Sequence, residues 1–310
     1  MSSRRWLPSY VALAAIWGCS FLFIKVGLES LTPAGVTLSR LVFGLATMLV
    51  ISAMTRTRLP HRTTWLPIFL AAALMTSLPW TLFAFGEERV SSALAGVING
   101  ATPLMTLVAI LIAFPEERPT RERIAGLLIG FLGVVVVVGP WQGSGSAAWL
   151  GIAACVAAIS CYGISFPYVR RRLAGGARAI PLPPIALATG LMLMGTLQTV
   201  PIAVVTGVTT APVTTSVVLA MLALGCLGSG IAYILNFRVI AASDATTAST
   251  VTYLTPLVAV IVGAVVLGEH VSWNQPVGGV LVVLGAATAQ GLVTRRRRRA
   301  ATEAGASPGR

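Results

Sequence analysis

A chain of 310 residues that is 56% hydrophobic and only 10% charged, with a mean hydropathy of +0.87, has too little polar residue to cover a water-facing surface. That excludes a soluble enzyme or binding domain and makes lipid the expected solvent. A helical crossing of a hydrocarbon core roughly 30 Å thick takes about 20 apolar residues, so the chain has room for about ten crossings joined by short loops.

In chain order, apolar stretches bounded by charge, Pro or Gly place spans at 8–28, 33–54, 65–86, 91–114 and 124–139, and again at 148–169, 184–205, 213–237, 245–267 and 277–293. They form two halves, 8–139 and 148–293, followed by a basic tail at 294–310 that is expected to be disordered. An even number of spans leaves both termini on one side. Nineteen arginines sort to that side, from Arg4 and Arg5 to Arg295 through Arg299 and Arg310, against Arg89 alone on the other. The net charge of +13 therefore reports orientation, with both termini cytoplasmic, and no nucleic-acid partner is expected. Cys19, Cys155, Cys161 and Cys226 lie in apolar runs without a CxxC pair or a histidine at ligand spacing, so they read as small core residues. Neither a metal nor another cofactor is expected.

The chain repeats itself. At an offset of 145 residues, Trp17-Gly18-Cys19-Ser20-Phe21 with Lys25 falls on Tyr162-Gly163-Ile164-Ser165-Phe166 with Arg170. At an offset of 153, Thr102-Pro103-Leu104 falls on Thr255-Pro256-Leu257, Asn99 on Thr252, Trp80 on Tyr233 and Glu116 on Glu269. Two matches in the same order, five spans apart, make a repeat. Because five is odd, the second copy enters the bilayer from the opposite face. The expected architecture is an all-α integral membrane protein of ten transmembrane helices, arranged as two inverted five-helix repeats around a central cavity.

Trp17-Gly18-x-Ser20-Phe21-x-x-x-Lys25 in the first span, Arg40 in the second, a Pro in the fourth and ninth, and Gly268-Glu269 closing the ninth resemble the EamA-type transporters of the drug/metabolite transporter superfamily. The resemblance covers nearly the whole chain. It implies a multi-pass carrier of the bacterial cytoplasmic membrane, commonly an exporter of amino acids or similar metabolites, with a cavity lined by helices 1, 3, 4, 6, 8 and 9. The first copy departs from the family pattern at Phe114-Pro115-Glu116, where the family has Gly before the Glu.

Several residues are candidates for substrate contact. Lys25 is the only lysine, and Arg40 lies about two turns into the second span. A charge at that depth must face protein or water. Either it holds an anionic group of the substrate, or Lys25 snorkels to the headgroups and Arg40 pairs with Glu29 or backbone carbonyls. Pro103 and Pro256 each remove a backbone donor and free the carbonyls of Asn99 and Thr252. Asn99, Thr102 and Thr106, with their partners Ser249, Thr252 and Pro256, give each helix one polar, kinkable stripe, and Tyr253 stands beside the second as a further candidate. Trp80 and Tyr233 are an aromatic pair placed to stack on an organic substrate, with Asn236 nearby. Trp17, Ser20, Tyr162 and Ser165 complete a secondary lining.

No carboxylate is expected deep in any span, since Glu116 and Glu269 stand at loop ends, and this favours facilitated diffusion, exchange or coupling through the substrate itself. An intramembrane enzyme is excluded by the same inventory, both histidines, His61 and His270, lying in loops. A broad drug efflux carrier is the closest alternative, but its cavity would be wider and more aromatic. A scaffold or receptor would not need matched stripes in inverted halves. The expected partners are the bilayer and a small molecule. Gly126, Gly130 and Gly133, with Gly278, Gly279 and Gly285, permit close helix contact either within the chain or in a homodimer.

Overall fold

A computed structural model of the protein describes residues 6–113, 120–139, 145–173, 182–242, 251 and 254–289. They form ten helices: α1 (Leu7–Gly27), α2 (Pro33–Met54), α3 (Arg62–Glu87), α4 (92–113), α5 (Arg121–Val138), α6 (Ser146–Arg172), α7 (Pro184–Thr206), α8 (215–242), α9 (Thr255–Val266) and α10 (Asn274–Ala289). Seven are long and apolar enough to cross a membrane. Of the rest, α5 opens on Arg121, Glu122 and Arg123, while α9 and α10 are shorter within the described residues.

Hydroxyl caps set several starts that hydropathy alone leaves loose. The side chains of Thr32, Ser91, Thr120 and Thr214 accept from the backbone N–H groups of Gly35, Leu94, Arg123 and Val217, fixing the first turns of α2, α4, α5 and α8. Pro33 and Pro184 stand in first turns, where a missing N–H costs nothing.

Three helices depart from regular α geometry, each for a readable reason. In α4, Pro103 offers no N–H to the carbonyl of Asn99. The first half ends at Asn99, and the Thr102 hydroxyl donates to the stranded carbonyl at 2.7 Å. The break packs Gly100 against Pro256 of α9. In α3 the helix widens to π geometry over Ala73–Ser77, and in α8 it does so over Ala223–Ile231. The 153-residue offset carries 73–77 onto 226–230, inside the second widened stretch. The causes differ. Pro79 takes the N–H that would bond Met75 out of α3, whereas α8 carries Gly225, Gly228 and Gly230. The consequence is shared: each insertion re-aims the residues of the next turn, which hold Trp80 and Tyr233.

Backbone contact between α5 and α10 is close enough that a side chain on Gly285 would run into Gly130, and one on Gly133 into Gly278 and Val282. The Asn274 amide donates to the Val137 carbonyl at 2.8 Å and fixes the register of the pair. These glycines therefore serve a contact within the chain. The opposite flank of α5, with Leu128 and Phe131 66% and 69% exposed, presents apolar surface suited to lipid.

The end of the bundle away from the basic loops, called the distal end below, is tied shut across the two halves. The Thr32 hydroxyl donates to the Gly207 carbonyl at 2.7 Å, and the Ser30 hydroxyl to that of Pro212 at 3.0 Å. The Glu269 carboxylate reaches back onto the start of α4, where it accepts from Ser92 N at 2.8 Å, Ser92 Oγ at 3.0 Å and Ala93 N at 3.1 Å. Gly268, with φ of +65°, makes the left-handed turn that brings Glu269 there.

Candidate functional site

Arg40 points from α2 into the space between α3, α6 and α8. Leu41, Met48, Trp80, Ala188 and Met192 form a buried cluster there, with Tyr162 and Tyr233 packed on it. The Arg40 guanidinium carbon lies 3.7 Å from the Trp80 ring centroid, and Nε donates to Ser229 Oγ at 3.0 Å. Ser229 sits within the π stretch of α8, and Trp80 follows that of α3 by one turn. Both irregular segments therefore converge on one side chain. Tyr162 and Tyr233 both lie within electrostatic reach of Arg40.

Arg40 is partly exposed as a residue, while its guanidinium is set against Trp80 of α3 and Ser229 of α8. Among the described residues it has no carboxylate partner. One ion pair, Arg89 with Glu88 at 2.6 Å, lies at the distal surface. Taking an unpaired charge out of water costs several kcal/mol, which the Trp80 face and the Ser229 hydroxyl offset only in part. The terminal amino groups of Arg40 make no further hydrogen bond among the described residues. Chemically this is a forked set of donors left without a partner among the described residues, suited to a carboxylate or similar anion.

The structure thus brings together Arg40, Trp80, Tyr162 and Tyr233. Asn236, one turn beyond Tyr233, is half-buried. Asn99, Thr102, Pro103 and Pro256 lie where α4 crosses α9, with the Thr102 hydroxyl committed to Asn99. Thr102→Val is expected to strand that carbonyl and cost about 1–3 kcal/mol, read as a lower melting temperature. Ser20 and Ser165 donate to carbonyls of their own helices, those of Ile16 and Tyr162. Trp17 packs in a separate cluster with Leu13, Ala14, Ala232 and Val251. Lys25 is at the distal end, its ammonium donating to the main-chain carbonyls of Glu87 and Val90. Ser249, Thr252, Tyr253 and Glu116 lie outside the described residues.

Two residues escaped the sequence reading. Ser229 falls on Thr76 at the 153-residue offset, and both are fully buried in the widened stretches, so a polar pair at equivalent positions was the available signal. The second is Glu87, the last residue of α3, which stands at the end of a span rather than deep in it. The apolar run stops at Gly86, but α3 continues through Glu87, whose side chain is 0% exposed. One residue later Glu88 is exposed. A step of about 100° around the helix separates the buried acid from the solvated one.

The model of the EamA-like transporter family matches this chain twice, at residues 5–139 and 149–289. The chain belongs to the EamA-like transporter family. It is thus a multi-pass membrane transporter, and the family is not one of enzymes. Among curated relatives of this EamA-like transporter is a protein of Streptantibioticus cattleyicolor named "Probable terminal-alkyne amino-acid exporter", 28% identical over 94% of this chain and 95% of that one. A Salmonella typhimurium protein named "Probable amino-acid metabolite efflux pump" is 23% identical, covering 88% of this chain and 90% of its own. An Archaeoglobus fulgidus protein named only as an uncharacterized transporter is 24% identical over 91% and 97% of the two chains. One solved structure superimposes with a TM-score of 0.64 over 94% of this chain and 99% of the other, at 20% identity, a likeness of fold.

Proposed function

We propose that this EamA-like transporter carries a small zwitterionic or anionic metabolite of the amino-acid class out across the cytoplasmic membrane, by alternating access between two inverted halves. The observation that carries this reading is Arg40: a deeply placed cation, with no counter-ion among the described residues and with its terminal donors unused beside the Trp80, Tyr162 and Tyr233 cluster. A substrate carboxylate would supply the missing charge and take up the forked donors, while the rings contact the rest of the molecule. The names of the Streptantibioticus and Salmonella relatives point the same way. Matched π stretches in α3 and α8 and the ties at the distal end support two halves that rearrange about this site. The arginine distribution supports an orientation with the basic loops and both termini in the cytoplasm. A carrier of cationic drugs would have to bring like charge against Arg40, which argues against that alternative.

The test is growth protection. Overexpression in a sensitive bacterial host, screened across amino acids and toxic analogues, is expected to protect against carboxylate-bearing compounds and not against their amides or decarboxylated amines. Protection against cationic drugs alone would overturn the reading.

A further inference from the structure

Glu87 has no role in the site around Arg40, yet among the described residues it is the carboxylate left buried with both oxygens unpaired. Its side chain is 0% exposed, and neither carboxylate oxygen has a hydrogen-bond partner. The groups facing it come from every helix packed around it. Lys25 reaches over from α1 and Arg40 approaches from α2. The Cys155 thiol of α6 packs on Gly86, and Glu269 approaches from the turn between α9 and α10. The adjoining first turns of α4 contribute no titratable side chain, and on its own helix Glu88 and Arg89 pair with each other at the surface. Lys25 spends its ammonium on the main-chain carbonyls of Glu87 and Val90, pinning the turn between α3 and α4, rather than on the carboxylate beside it. A carboxylate sealed from water with both oxygens unpaired does not hold a full negative charge, whereas a neutral carboxyl is tolerated.

We propose that Glu87 is a proton-binding site that latches the distal end. With a proton on its carboxyl, Lys25 stays on the two carbonyls and the turn is held. When the carboxyl gives its proton to water on the distal side, the carboxylate draws Lys25 onto itself, the carbonyls of Glu87 and Val90 are released, and the end opens. Closing takes the proton back up. The closed form binds one proton more than the open form, so raising the pH favours opening, by at most about tenfold per pH unit for a single carboxyl. The inference rests on the alternating-access reading and makes its distal gate pH-sensitive; because the proton leaves and returns on the same side, it adds no coupling to a proton gradient and is compatible with facilitated diffusion, exchange or coupling through the substrate.

Cys155 is a built-in reporter, fully buried beneath Gly86 in the closed state. In right-side-out membrane vesicles containing the full chain with Cys19, Cys161 and Cys226 changed to alanine, labelling of Cys155 by a membrane-impermeant maleimide is followed against pH. The reagent's own pH dependence is common to both proteins, and a negative charge on Glu87 beside the Cys155 thiol can only oppose its ionisation, so an excess slope in the parent over Glu87→Gln, the reference, is not due to the thiol. The parent is expected to exceed it by up to about tenfold per pH unit, with Glu87→Asp retaining the excess. Infrared spectra of the purified protein in nanodiscs at neutral pH are expected to show a protonated-carboxyl band that Glu87→Gln removes. Equal slopes, failure of Cys155 to label at any pH, a labelling change that follows sodium rather than pH, or a spectrum unaltered by Glu87→Gln would each overturn the proposal. No transported compound is needed, so a failed growth screen and a failed gate remain separate results.

Discussion

Arg40→Met is expected to abolish transport of carboxylate-bearing compounds while leaving the protein in the membrane at its normal level. Methionine keeps an unbranched apolar stem and removes the charge. Truncating one partner of a desolvated, hydrogen-bonded charge pair costs about 2–5 kcal/mol, which corresponds to about 30- to 5,000-fold in affinity. Stability should move the other way. The resting protein holds Arg40 without a counter-ion among the described residues, and replacing a buried ion by apolar volume is neutral or stabilising. Arg40→Met should therefore melt no lower than the parent. Arg40→Lys separates charge from shape. It keeps the cation but loses the stacking on Trp80, the fork and the Nε bond to Ser229, so a partial loss is expected. Counterflow of a radiolabelled amino acid that passes the growth screen, with a melting curve for each variant, reads both effects. Undiminished counterflow by Arg40→Met would remove the proposed role of this residue.

Lys25→Met makes the contrast. Lys25 holds the turn between α3 and α4 through two carbonyls, so its loss acts on closure of the distal end rather than on the cavity. From the sequence the two cations looked alike, each a lone charge in an apolar span near the same end. Their difference lies in what faces them, and that is set by helix crossings that no local pattern encodes. Features governed by near neighbours along the chain were readable. Pro103 had to free Asn99, and the break falls there. The 153-residue offset had to give Trp80 and Tyr233 equivalent places, and both pack on one cluster. Features governed by phase and by remote partners were not. The burial of Glu87 turns on a single residue of helical rotation at the end of an apolar run. The bond from Arg40 to Ser229 needs α2 to cross a widened turn of α8. The glycines of α5 and α10 advertised close contact, but only their register shows that they meet each other. Thr102 marked a polar stripe and Ser20 and Ser165 a secondary lining, yet a serine or threonine in a helix can donate to its own backbone, and these do.

Glu269→Ala is expected to open the distal end. The carboxylate supplies two main-chain N–H groups and one hydroxyl at the start of α4 with their acceptor, and its charge opposes the positive end of that helix. Because it staples the second half to the first, its loss penalises only conformations in which the two meet at this end. Glu269 is half-buried, so a loss of about 1.5–3 kcal/mol is appropriate, shifting the closed-to-open ratio about 10- to 150-fold. Labelling of Cys155 from the distal side should rise accordingly. Glu269→Gln, which retains one acceptor oxygen but no charge, should fall between. Glu116 stands at the equivalent place in the first half by the 153-residue offset and lies outside the described residues. If the halves are inverted, the same chemistry operates at the opposite end of the bundle. Glu116→Ala should then lower Cys155 labelling by favouring the form that is closed on the distal side. The sign decides the architecture: inverted halves require the two substitutions to move the equilibrium in opposite directions, and a shift of both in the same direction would rule out the inversion.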